Sequence, residues 1–148
     1  LMHACENGKK EVVDCLIKYG ANVNEKNMAG ETPLMCICKK GHENLVHYFI
    51  KNNSNINDKD NYGNTALIYA CQNDITEIVK ILIENHAKIN EQNVNGETAL
   101  IIACKNGYLN IVKLLIHYHA NPNIIDNSHK SPLMYALINN NKEIVDEL

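Results

Sequence analysis

Apolar residues recur along this chain in one fixed grouping. It appears first as Val12, Val13, Leu16 and Ile17, then as Leu45, Val46, Phe49 and Ile50. The next copies are Ile78, Val79, Leu82 and Ile83, and Ile111, Val112, Leu115 and Ile116. Spacings of one, three and four put these side chains on one side of a 3.6-residue helix. Each grouping predicts an amphipathic helix. A shorter apolar block precedes it and predicts a first, buried helix ending near Lys40, Asn73 or Asn106. Thr32 and Ser131 are placed to cap that helix, with Pro33 and Pro132 at its first position, where a missing N–H costs nothing. Gly8, Gly41 and Gly107 then supply a turn that admits positive φ. Asp74 and Asn140 stand in the same slot, and both can visit the left-handed region. Gly20 is placed to end the second helix, with Asn53, His86 and His119 as its counterparts.

These groupings are copies of one another. A step of 33 residues links Gly30, Gly63 and Gly96, with His129 in the next slot. The same step links Leu1, Leu34, Leu67, Leu100 and Leu133, and Asn24, Asn57, Asn90 and Asn123. Self-similarity at a fixed period decides the fold before any other feature. The copies run approximately 1–29 (partial), 30–62, 63–95, 96–128 and 129–148 (partial), with no insertion, and form a single domain of residues 1–148. Leu1 falls within a repeated word and Leu148 within a second helix. The chain is therefore expected to be a piece of a longer array.

Two words carry a resemblance. One is Thr32-Pro33-Leu34-Met35-Cys36-Ile37, repeated as Thr65-Ala66-Leu67-Ile68-Tyr69-Ala70, Thr98-Ala99-Leu100-Ile101-Ile102-Ala103 and Ser131-Pro132-Leu133-Met134-Tyr135-Ala136. The other is Gly20-Ala21-Asn22-Val23-Asn24, with three further copies in phase. Period and wording resemble the ankyrin repeat over the whole chain. The resemblance implies an all-α solenoid of stacked helix–turn–helix units joined by short β-hairpin loops at Glu25–Ala29, Asp58–Tyr62, Glu91–Asn95 and Ile124–Ser128. One departure stands out. The family's usual His is replaced by Met2, Met35, Ile68, Ile101 and Met134. Apolar contact must replace its hydrogen bonds, or the array is softer than its relatives.

Composition adds little to this. The formal charge of -3 comes without a basic block, which points away from nucleic acid and membrane surfaces. No apolar run approaches the roughly 20 residues of a membrane span. Frequent Asn falls at helix ends and in loops, where its side chain bonds to backbone. Cys5, Cys38, Cys71 and Cys104 share one slot. Copies of a slot lie roughly 10 Å apart in stacked helices, beyond disulfide reach. They read as small fillers, and free thiols suit a reducing, intracellular and cytoplasmic setting. Cys36 and Cys38 point to different helix faces, which argues against zinc.

No catalytic constellation emerges. Phosphate-binding glycine motifs are absent, the acids are scattered, and no cofactor is implied. His117 and His119 form a weak metal pair at most, since His119 has a turn to fill. The recurring Asn24, Asn57, Asn90 and Asn123 read as bonds to loop backbone. The family resemblance adds a second reading, hydroxylation of that asparagine by another enzyme.

The resemblance implies protein–protein recognition through a concave groove and the loop tips. Carried over slot by slot, the candidate partner-binding residues of the first full repeat and its tip are Met28, Glu31, Lys39 and Lys40. The next repeat contributes Asn61, Tyr62, Asn64, Gln72 and Asn73. The third contributes Val94, Asn95, Glu97, Lys105 and Asn106. Met28, Tyr62 and Val94 form an apolar line if exposed, or else pack between neighbouring loops. Lys39, Lys40 and Lys105 form a modest basic rim suited to an acidic partner segment. The partner is then another protein, with possible end-to-end contact with further repeats. A spacer or self-stacking rod, or the interaction arm of a larger enzyme, are the alternatives. The strong differences between tips favour a binder over a rod.

Overall fold

The computed structural model describes residues 1–148 and contains ten helices and no strand. They come in pairs: α1 (Met2–Glu6) with α2 (Lys10–Lys18), α3 (Pro33–Lys40) with α4 (Glu43–Lys51), and α5 (Ala66–Gln72) with α6 (Thr76–Glu84). Then follow α7 (Ala99–Asn106) with α8 (Leu109–His117), and α9 (Pro132–Ile138) with α10 (Lys142–Glu147). First helices stack on first helices, so that α3 lies between α1 and α5, and α7 between α5 and α9. Second helices form a parallel row, α4 on α6 on α8 on α10. The result is the expected helical solenoid.

The two rows differ in how they are buried, and the sequence shows why. The inner first helices are buried over most of their length: Leu34 to Cys38, Ala66 to Cys71 and Ala99 to Cys104 are all buried, and only the C-terminal ends open to the groove. Their small residues allow that closeness. The second helices have one dry side, formed by Leu45, Val46 and Phe49 in α4 and by Ile78, Val79 and Leu82 in α6. Val12 departs from the pattern. It is 50% exposed, because α2 has a neighbouring pair on one side only. Met35, Ile68 and Ile101 fill the slot of the missing His and are at most 1% exposed, so apolar contact does replace it.

Local chemistry closes each turn. The hydroxyls of Thr32, Thr65, Thr98 and Ser131 accept the N–H of the residue three places on, at 3.2–3.3 Å. Asn53, His86, His119, Asp74 and Asn140 all adopt positive φ, in the slots read as left-handed. Gly30 has a second reason to be glycine. Its φ is +79°, and a Cβ there would stand 2.5 Å from Asn61 Oδ1. The cysteines are all free, and burial pushes the Cys38 and Cys71 thiols far up.

The loops correct one expectation. No β-hairpin ladder forms. Each tip is closed by one rung and the turn bond inside it, such as Asn27 N–H to Glu31 C=O at 3.0 Å with Gly30 N–H to Asn27 C=O at 2.9 Å. The N-cap threonine or serine follows at once, so the chain turns into a helix before a second rung can form. Neighbouring tips are joined instead, by Asn61 N–H to Ala29 C=O at 3.0 Å, Val94 N–H to Tyr62 C=O at 2.9 Å and Asn127 N–H to Asn95 C=O at 2.9 Å.

Ser54 is the one buried side chain without a polar partner, and it sits in the slot held by Ala21, Ala87 and Ala120. An unpaired buried hydroxyl destabilises by about 1–3 kcal/mol. Ser54→Ala is therefore expected to stabilise the array by about 1 kcal/mol, read as a higher urea midpoint. A lower midpoint would mean that the hydroxyl has a partner in solution.

Candidate functional site

The tips are rigid because one side chain in each holds the loop from within. Asn27 Oδ1 accepts the N–H groups of Ala29 and Glu31 at 3.0 and 2.9 Å. Asp60 does the same for Tyr62 and Asn64 at 2.9 and 2.8 Å, and Asn93 for Asn95 and Glu97 at 3.0 Å each. Asp126 completes the series with Ser128 and Lys130 at 2.8 and 2.9 Å. These four residues were not singled out by the sequence reading. An Asn or Asp three places before a left-handed residue was the available signal, since such side chains bond to backbone two residues on.

The remaining polar atom of each bracket faces the groove. Asp60 Oδ2 accepts the Tyr69 hydroxyl at 2.6 Å, and Asp126 Oδ2 accepts the Tyr135 hydroxyl at 2.6 Å. Asn27 and Asn93 instead donate to Glu31 and Glu97, at 2.9 and 3.1 Å. Each of those glutamates takes a lysine on its other oxygen: Lys39 at 3.0 Å and Lys105 at 2.8 Å. Lys39 also lies 5.1 Å from the Tyr69 ring centroid, close enough for a cation–π contact. Glu31 Oε1 also lies 3.1 Å from the Tyr69 hydroxyl, a second acceptor for the one proton that Asp60 takes at 2.6 Å.

Charge follows from these contacts. Burial raises the Glu97 carboxyl, but Lys105 and Asn93 outweigh it and leave it below the ordinary value. The Glu31 and Asp126 carboxyls end low by the same contest, burial against donors. The Tyr135 hydroxyl is pushed up to about 12 by Asp126 and then by burial. A carboxyl with a lowered folded pKa contributes stability that is present above its ordinary pKa and lost as pH falls through the folded value. The urea midpoint should thus stay level from neutral pH to about pH 5 and fall below it, and Glu97→Gln should flatten that fall. An equal acid slope in both proteins would count against this assignment.

Exposure now sorts the candidate residues. Met28, Tyr62 and Val94 stand out from the tips, at 101%, 62% and 58% exposed, so the apolar line is displayed rather than packed away. Lys39, Lys40, Lys105, Asn61, Asn73, Asn95 and Asn106 are exposed, and Gln72 is half-buried. Asn61 and Asn73 are partly spent, since their amides donate to the C=O groups of Met28 and Tyr69 at 3.0 and 2.9 Å. Three positions lie deeper. Asn64 and Glu97 are each 9% exposed and Glu31 is half-buried. Their polar atoms hold brackets and lysines, so they act on the surface through those neighbours. Position along the tip did not reveal this, because it depends on side chains that reach back across the loop.

Outside the groove, Asn24 and Asn57 bond to the backbone of the next loop. Asn24 Oδ1 accepts from Asn55 N–H and Asn57 Oδ1 from Lys88 N–H, both at 2.8 Å. Glu6, Glu31, Cys36, Lys39 and Lys40 line one recess of about 110 Å³. The Cys36 thiol there is raised to about 11 by burial, then by Glu31, which disfavours the thiolate at neutral pH. No helix is long and apolar enough to cross a membrane.

Comparison with known proteins agrees with this architecture. A search of curated proteins found no match. The family model described as ankyrin repeats (3 copies) matches residues 1–93 and 77–148. Helix pairs stacked at the sequence period, under a family model that spans the chain, place it in a known class. Arrays of that class serve generally as protein–protein interaction modules and are typically non-catalytic, and this chain belongs to the ankyrin-repeat family.

Proposed function

We propose that this chain is a non-catalytic recognition module that holds a partner protein against its tips and first helices. The observation that carries this reading is the display of Met28, Tyr62 and Val94 on tips braced from inside by Asn27, Asp60 and Asn93. Large apolar side chains on fixed loops are hot-spot material. A preformed surface also loses little entropy on binding. The free, buried cysteines suit work in the cytoplasm.

The test is affinity capture from native lysate, followed by titration of the captured protein. The baits are this chain and its Tyr62→Ala/Lys39→Glu/Lys40→Glu variant, checked for unchanged helicity. A partner bound at least tenfold more weakly by the variant supports recognition at tips and groove. Equal binding by both baits sinks it.

A second reading has one observation in its favour. Leu133, Met134 and Leu137 are 40–55% exposed on the last helix pair, although the Leu133 and Met134 slots are buried in the three preceding pairs. This apolar end supports contact with further repeats. Light scattering of the chain and of Leu137→Glu separates the two readings. Association that the substitution abolishes supports end-to-end stacking.

A further inference from the structure

The core of this array repeats every 33 residues, but several slots of its recognition surface repeat every 66. Leu34, Leu67, Leu100 and Leu133 are identical, as are Val46, Val79, Val112 and Val145. The bracket slot instead alternates Asn27, Asp60, Asn93, Asp126. The tip slot alternates Met28, Asn61, Val94, Asn127. At one first-helix slot lysine stands in alternate units, as Lys39 and Lys105, with Gln72 and Ile138 in the others; Lys130, on the following tip, shares the Tyr135 ring with Lys105, at 5.4 Å from its centroid. The alternation follows the surface and enters the first-helix core only where Tyr69 and Tyr135 alternate with Cys36 and Ile102.

The structure turns this into two copies of one site. Lys39 sits on Glu31 and over the Tyr69 ring; Lys105 sits on Glu97 and 5.7 Å from the Tyr135 ring centroid. In both copies the cation is outermost. The lysine side chains are 44% and 49% exposed, while their glutamates are 13% and 11% exposed. An ammonium has three donors, and a single carboxylate beneath it leaves others free for a second carboxylate from outside.

The spacing selects the shape of what binds. Packed helices lie 8–10 Å apart, so two units span about 20 Å. An extended chain rises about 3.3 Å per residue, with side chains on alternate sides. It advances about three residues per unit, an odd number, so its side chains face the groove at one unit and away at the next. It returns to the same face after about six residues, at a two-unit step. A helical ligand behaves differently. It advances about seven residues per 10 Å and presents the same face to every unit, so it would call for lysine in each.

We propose that the groove binds an extended acidic segment through two carboxylates six residues apart, one on Lys39 and one on Lys105. This deepens the recognition reading above and rests on it.

Selection of a phage-displayed random 12-residue peptide library on the whole chain tests it. The enriched peptides should share Asp or Glu at positions i and i+6. Binding of such a peptide should weaken about tenfold in Glu31→Gln/Lys39→Gln, and again in Glu97→Gln/Lys105→Gln. Each double change removes a cation without stranding its buried glutamate. Moving one acid of the peptide by a single residue should cost as much as losing it. Peptides that bind through Tyr62 but share no acidic spacing would overturn the proposal and leave groove recognition standing. Preference for a longer helical peptide with acids about thirteen residues apart, which spans the same distance, would do the same. Recovery of no peptide that depends on tip or groove residues would overturn both.

Discussion

Phe49→Ala is expected to destabilise the array by about 3–5 kcal/mol. Phe49 is the only phenylalanine and is fully buried, in α4 within the row of second helices. Truncation removes apolar area and leaves a cavity in the core that Phe49 shares with Leu45, Val46 and Leu82, and a close-packed core cannot collapse freely. The solenoid sets how this loss is felt. A repeat protein is held by each unit and by its contacts with immediate neighbours. A defect in the second helix pair therefore weakens its contacts on both sides and uncouples the α1–α2 pair from the rest. Urea unfolding followed by circular dichroism should show a lower midpoint and a broader transition, with the first two pairs melting before α5 to α10. Tyr19→Ala, at an 88% exposed position, serves as the control and should change stability by less than about 0.5 kcal/mol. A Phe49→Ala loss below about 1 kcal/mol would mean that the site repacks and the core is softer than its burial implies.

The parts of the fold legible in sequence are those fixed by local geometry. The step of 33 residues gave the helix pairs, because every apolar grouping had to find the same face in its neighbour. Threonine caps and left-handed turn residues could be read directly, since each acts within four residues of itself. Other features depended on reach across the stack. Val12 matches Leu45 in pattern and differs only in having a neighbour on one side, which no local rule shows. Glu97 and Asn64 occupy tip slots like those of exposed residues, yet Asn93 draws both inward, donating to Glu97 at 3.1 Å and to Asn64 Oδ1 at 3.2 Å. The candidate site was therefore legible as a set of slots, Met28, Tyr62, Val94 and the lysines among them. The brackets beneath carried a local signal, an Asn or Asp three places before a left-handed residue, but their further bonds to the tyrosines of the next helix did not. Tyr69 is the clearest case. On its helix it reads as one more residue of an apolar block, and its hydroxyl tells otherwise only once Asp60 and Glu31 are beside it.

Asp60→Ala should cost about 3–5 kcal/mol, as much as the loss of a core aromatic, although it removes no apolar contact. Asp60 is 7% exposed and accepts four donors: Tyr62 N–H, Asn64 N–H, the Asn64 amide at 3.4 Å and the Tyr69 hydroxyl. Alanine leaves the two backbone N–H groups and the Asn64 amide without this acceptor, while the Tyr69 hydroxyl keeps Glu31 Oε1 at 3.1 Å, and each buried donor without a partner costs about 1–3 kcal/mol. Asp60→Asn separates the causes. It keeps an oxygen for the two backbone N–H groups, as Asn27 and Asn93 do in their own tips, but loses the charge that strengthens the Tyr69 bond. It should therefore cost about 1–2 kcal/mol. Because Tyr69 also underlies Lys39, the alanine variant should loosen the groove as well as the tip. Amide hydrogen exchange would register this as faster exchange at Tyr62, Asn64 and the start of α5, with α8 unchanged. Equal losses in the alanine and asparagine variants would place the whole contribution in the carboxylate charge. A negligible loss in both would show that water takes over the bracket, and that the tips are less rigid than a preformed recognition surface requires.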